Sequence, residues 1–126
     1  MKPFARIRIE WKGGAVSATL EDTPTARALI AALPATSSAS TWGEEVYFEM
    51  PVEATLEASA RQIVEPGTVC FWTEGGALAL PFGRTPISED ARPKLVSRCN
   101  VLGRIEGDAR ALASVRAGDP ITVSLE

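Results

Sequence analysis

From Phe4 to Trp11 the chain alternates strictly: Ala5, Ile7, Ile9 and Trp11 fall on one side, Arg6, Arg8 and Glu10 on the other. Successive side chains of an extended strand point to opposite faces, so a period of two describes a half-buried β-strand and is incompatible with a helical stripe. Gly13-Gly14 then suits the positive φ of a tight hairpin, and residues 15–20 return as a second strand. Short segments of similar character, separated by Gly and Pro, recur along the chain. They predict strands at 46–49, 52–54, 68–72, 77–82 and 101–106, and a last one carrying Ile121, Val123 and Leu125.

Two short helices interrupt this pattern. Thr23 is placed to cap a helix with Pro24 at its first position, and Ala26, Leu29, Ile30 and Leu33 share one face before Pro34 ends it. Asp108 caps a second, bearing Leu112 and Val115 and closed by Gly118. Residues 35–40 read as a loop of small side chains, 55–64 as ambiguous with a weak helical turn, and 83–99 as a long ordered loop of a kind that more often carries function than not. Many short strands without a βαβ rhythm predict a mostly β, antiparallel sheet, closed or nearly closed, with two short capping helices. Residues 1–126 form one domain in this reading, with no repeat or linker.

Composition removes several function classes. A net charge of −3 without a Lys/Arg cluster leaves no electrostatic footprint for nucleic acid. No apolar run approaches the roughly 20 residues a membrane-spanning helix needs, and the start, Met1-Lys2-Pro3-Phe4-Ala5-Arg6, is not a signal-peptide core. Cys70 and Cys99 are too few for a disulfide framework; reduced thiols in a cytoplasmic protein are expected. The chain has no histidine, which removes the commonest general base and metal ligand together. Any catalysis would rest on carboxylates, Lys/Arg, Tyr, or positioning. A metal site would need Glu44, Glu45, Glu49, Glu89 and Asp90 to converge, so neither metal nor cofactor is expected.

Two stretches concentrate residues that a β-core does not need: Thr41-Trp42-Gly43-Glu44-Glu45-Val46-Tyr47-Phe48 and Phe82-Gly83-Arg84-Thr85-Pro86-Ile87-Ser88. In extended backbone Glu44 and Glu45 point to opposite faces, so at most one enters a pocket, and the other could hold a loop by accepting backbone N–H bonds. Tyr47 and Phe48 divide in the same way. Trp42 is either a binding platform or packing; Trp72 reads as core or rim, and Trp11 as core. Arg84, Thr85 and Ser88 could hold a carboxylate or carbonyl, or simply lock a turn; Asn100 is a turn-fixing amide or a pocket contact.

These two stretches, with Pro51, Gly67, Val69, Phe71-Trp72, Gly76-Ala77-Leu78 and Asn100-Val101-Leu102-Gly103-Arg104-Ile105, resemble a small prokaryotic family of cyclophilin-like proteins of unknown function. The resemblance runs through nearly the whole chain in order. It implies a cyclophilin-type barrel capped by helices, and it brings the two stretches together in space. Cyclophilins are peptidyl-prolyl isomerases, but their Phe-His-Arg segment aligns loosely with Tyr47-Phe48-Glu49, which puts a carboxylate where the polarising guanidinium belongs. An ionised carboxylate only accepts hydrogen bonds. The expected function is therefore binding of a small molecule or short peptide in a groove between segments 41–48 and 82–88, by Thr41, Trp42, Glu44, Glu45, Tyr47, Phe48, Arg84, Thr85, Ser88 and Asn100. The alternatives are an atypical prolyl isomerase and a partner-binding or oligomer-forming protein.

Overall fold

A computed structural model describes residues 4–126; what the sequence says of residues 1–3 lies outside the described residues. Strands β1 (Ala5–Trp11) and β2 (Gly14–Leu20) form the expected hairpin, in register from Trp11↔Gly14 to Ala5↔Leu20. Ile7, Ile9 and Trp11 are buried on its inner face, and the Trp11 indole Nε1–H donates to Ser114 Oγ at 2.8 Å. Helix α1 (Pro24–Ala31) begins where Thr23 accepts a hydrogen bond from the Ala26 N–H at 3.1 Å. It buries Thr25, Ala26 and Leu29.

The remaining elements are β3 (Ala35–Ser38), β4 (Ser40–Thr41), β5 (Glu45–Glu49), β6 (Arg61–Ile63), β7 (Thr68–Trp72), β8 (Ala77–Pro81), β9 (Lys94–Ile105), a 3₁₀ helix (Ala109–Ser114) and β10 (Pro120–Leu125). All strand pairs are antiparallel, and the main sheet runs β3-β10-β1-β2-β9-β7-β8-β5-β4. Among the described residues no ladder joins the outermost strands, so the sheet is not closed by hydrogen bonds as a barrel would be. Its ends are instead consecutive stretches of chain. β3 pairs with β10 and β4 with β5, and Ala39 between them exchanges hydrogen bonds with the turn before β10: Ala39 N–H to Asp119 O, and Gly118 N–H to Ala39 O, both 2.8 Å.

Several local expectations change. Residues 35–41 pair as strands because nothing between Ala35 and Thr41 breaks an extended chain and both neighbours offer ladder groups. Residues 61–63 form β6, whereas 52–54 pair with no strand. The loop expected over 83–99 is shorter, since β9 already starts at Lys94. The second helix is a 3₁₀ turn rather than an α-helix, with Val115 just past its end.

β9 serves two layers. Its residues 100–105 pair with β7 and β2 in the main sheet, while Lys94 and Cys99 pair with β6 in a small second sheet. Gly103 lies opposite Leu20 where β9 pairs with β2: a Cβ there would collide with the Thr19 carbonyl oxygen and stand 2.9 Å from Leu20 Cα. Side chains divide accordingly. Val46, Phe48, Val69, Phe71, Leu78 and Leu80 join Ile7, Ile9, Leu20, Ile121 and Val123 in the main core. On the other face of the same strands, Cys70 and Ala79 pack with Val64, Leu95 and Cys99 into a second, smaller core beside Tyr47, Trp72 and Val101. Each large apolar side chain so buried contributes about 1.5–3 kcal/mol.

Candidate functional site

The turn between β4 and β5 is built to touch the loop after β8. The Trp42 N–H bonds the Glu45 carbonyl at 3.0 Å, and Gly43 takes φ +60°. A Cβ at Gly43 would stand 2.8 Å from Pro86 Cδ and 3.0 Å from Arg84 O, so both the backbone angle and the approach require glycine. Backbone bonds then join the segments directly, Glu44 N–H to Arg84 O and Phe82 N–H to Glu44 O, each 2.8 Å. The Glu44 carboxylate accepts from the Arg84 N–H at 3.1 Å and from Arg110 Nη2 at 2.8 Å. Arg110 first, and the Arg84 N–H second, hold its carboxyl below the usual range. The Arg110 guanidinium also lies over the Phe82 ring, 5.7 Å from its centroid.

The two motifs therefore do meet, but their polar groups are spent on each other. Ser88 Oγ accepts from the Thr85 N–H at 2.9 Å and the Lys94 N–H at 3.2 Å, and buried Thr85 donates its hydroxyl to Lys94 O. Arg84 is exposed and donates to Ser88 O at 3.3 Å. Asn100 sits elsewhere, fully buried. Its Nδ2 donates to Thr25 Oγ1 and Thr55 O, both 2.9 Å, and its Oδ1 accepts from the Glu57 N–H at 2.7 Å. Thr25 in turn donates to Glu57, so this amide ties α1 and residues 55–57 to β9. Thr41 is exposed in β4, paired with Val46. The expected groove between segments 41–48 and 82–88 is replaced, along Gly43–Glu44 and Phe82–Thr85, by direct contact.

The open space lies on the other side of β5. There the period of two sends Val46 and Phe48 into the main core and Glu45 and Tyr47 outward. Glu45, Tyr47 and Trp42 border a cavity of about 180 Å³. Trp72 and Ala79 line it from β7 and β8, and the first half of β9 contributes Leu95, Val96 and Cys99. No Lys or Arg is among these lining residues. Glu45 is 7% exposed, and its Oε1 has no hydrogen-bond partner among the described residues. Burial pushes its carboxyl up to about 7. Burial likewise pushes Cys99 up to about 12 and Cys70 well above the thiol range, so both thiols stay protonated. The Trp72 indole N–H is also buried, with no partner among the described residues. A second hollow, bordered by Ser37, Ser38, Ser40 and Glu49, adjoins the first by sharing Tyr47 and Trp72.

Of the sequence-derived site set, Trp42, Glu45 and Tyr47 come together here; Phe48 is core, the side chains of Glu44, Thr85, Ser88 and Asn100 are hydrogen-bonded within the protein, and Thr41 and Arg84 are exposed. Trp72, which the sequence offers as core or rim, completes the site with Ala79, Leu95, Val96 and Cys99, which it does not single out as site residues. A signal existed for Trp72 and Ala79 alone: Thr68–Trp72 and Ala77–Pro81 lack polar alternation, which marks strands covered on both faces. Among the described residues no three acidic or thiol side chains cluster as a metal would require, and no helix is long and apolar enough to cross a membrane.

Comparison with known proteins places this geometry. A search among curated proteins found no match. The solution structure of a hypothetical protein from Archaeoglobus fulgidus is similar over 97% of this chain and 95% of that one, at 37% identity and a TM-score of 0.83. The family model described as Cyclophilin-like matches residues 5–124, so the chain belongs to the cyclophilin-like family.

Proposed function

We propose that this protein binds a small molecule in the cavity between Trp42, Tyr47 and Trp72, with Glu45 at its polar end. The observation that carries this reading is the buried, unpartnered Glu45 carboxyl in an otherwise apolar, aromatic cavity. An unmade hydrogen bond on a buried group costs about 1–3 kcal/mol, and a ligand that completes it recovers that loss. Largely apolar walls with one or two polar groups are the usual form of a small-molecule site. Binding without turnover fits the lining, which offers no guanidinium to polarise a prolyl amide.

The test uses a panel of indole, benzamide, phenylacetate and isoamylamine, followed by the indole N–H signals of Trp42 and Trp72 in ¹H–¹⁵N spectra. Val96 is 56% exposed at the cavity, so Val96→Trp should obstruct it while leaving the fold intact. Perturbation of both indoles by at least one compound, abolished in Val96→Trp, is the expected result. Unmoved indole signals across the panel would overturn the reading.

A further inference from the structure

We infer that the preferred ligand of this cavity is a small alkylammonium ion, its N–H pointed at Glu45 Oε1 and its alkyl groups against Trp42, Tyr47 and Trp72. This deepens the small-molecule reading above and rests on it.

Three observations converge. First, three aromatic side chains from separate parts of the chain, the β4–β5 turn, β5 and the end of β7, border one cavity of about 180 Å³. Aromatic faces carry negative charge density, and a cation within about 6 Å of a ring centroid is attracted to it, most strongly by Trp. Secondly, the only carboxyl in the lining, among the described residues, is more than nine-tenths buried and leaves an acceptor oxygen unpaired. That vacancy is filled by an N–H donor. A quaternary ammonium has none, so the geometry favours an amine that keeps at least one.

Thirdly, no group among the described lining residues neutralises Glu45. Tyr47 shares its strand face, Cys70 approaches from β7 and Cys99 from β9, and both thiols are held neutral. Of the basic residues on adjoining segments, Lys94 is paired with Glu89 and Arg110 with Glu44, and none of Arg61, Arg84 and Arg98 lines the cavity. A buried carboxylate without a counterion is costly, and an incoming cation supplies the missing partner. A charge-assisted N–H to carboxylate bond is about twice as strong as a neutral one. Anionic ligands would meet the like charge of Glu45, and neutral donors would supply a hydrogen bond but leave its charge without a counterion.

The experiment compares isoamylamine with isoamyl alcohol, which has the same branched chain and a donor but no charge. Tryptophan emission is titrated at pH 8, and the pair is repeated with tetramethylammonium and with Glu45→Gln. The amine is expected to bind about tenfold or more tightly than the alcohol and more tightly than tetramethylammonium, and Glu45→Gln should remove its advantage over the alcohol. A second measurement does not depend on that variant folding. An alkylamine, like a lysine side chain, keeps its proton to about pH 10. Binding that ionises Glu45 therefore strengthens with pH up to about 7, by at most about tenfold for each step of one in pH, and then levels off, while the alcohol shows no such rise. Equal binding of amine and alcohol would overturn the cation assignment and leave the small-molecule reading standing. A titration in which neither changes the emission would overturn the cation assignment, and the small-molecule reading would then stand or fall on the indole N–H panel above.

Discussion

Glu45 is the residue on which most of the chemistry turns, and its pH dependence has a definite sign. Its folded carboxyl titrates near 7, above the ordinary 4.5. Between those values the folded state keeps a proton that the unfolded chain has lost. The resulting stability is fully present below about pH 4.5 and disappears as pH rises through 7. A tenfold difference in proton affinity between the folded and unfolded chain is worth about 1.4 kcal/mol, so the full effect is of order 3 kcal/mol. Glu45→Gln, which cannot ionise, should unfold in urea with that much greater stability than wild type at pH 8 and with near-equal stability at pH 4. A wild-type chain whose stability is level between pH 5 and 8 would show that Glu45 is not desolvated as described. Its neighbour Glu44 illustrates how one step along a strand changes a role. The same carboxyl, turned to the other face, finds Arg110 and a backbone N–H and becomes a clamp.

At the scale of elements, β9 organises the site, since one strand both completes the main sheet and turns away to wall the cavity. The close pairing of β9 with β2 leaves no room for a side chain at Gly103. Gly103→Ala should cost about 3 kcal/mol or more, because backbone rather than a flexible side chain must move. A thermal midpoint within a degree or two of wild type would mean that the strands slide apart readily. The sequence showed the β1–β2 hairpin, the Thr23-capped helix and the parity of β5 well, because each depends on local spacing. Glu45 and Tyr47 on one face and Val46 and Phe48 on the other follow from period two alone. The far wall was not legible. Leu95, Val96 and Cys99 look like the tail of a loop until β6 pairs with Lys94 and Cys99, joining residues about thirty to forty positions apart. Asn100 and Ser88 carried the polar signature of a site yet serve as internal fasteners, since spacing cannot reveal which hydrogen bonds are already made.

For the molecule as a whole, membership of the cyclophilin-like family fixes the frame and leaves the chemistry to the side chains. Rotation about an X–Pro bond meets a barrier of about 18–20 kcal/mol, and lowering it takes a donor directed at the amide. Glu49, which stands nearest the place of the cyclophilin arginine in the loose alignment, is exposed on β5 and ionisable only to an anion. X-Pro peptides incubated with the protein are expected to isomerise at their uncatalysed rates; acceleration lost in Trp42→Ala would instead make the cavity a catalytic one.

The seam of the sheet has a further consequence for how the protein behaves at high concentration. Unpaired strand edges are templates on which other chains can add, and long flat ones promote aggregation. Here the two outermost strands are only four and two residues long, and they follow one another through Ala39, itself held by the turn at Gly118–Asp119. The nine-stranded main sheet thus presents very little edge to its neighbours. Cutting the chain at Ala39 would release both ends at once, turning a self-limiting sheet into one that can recruit copies of itself.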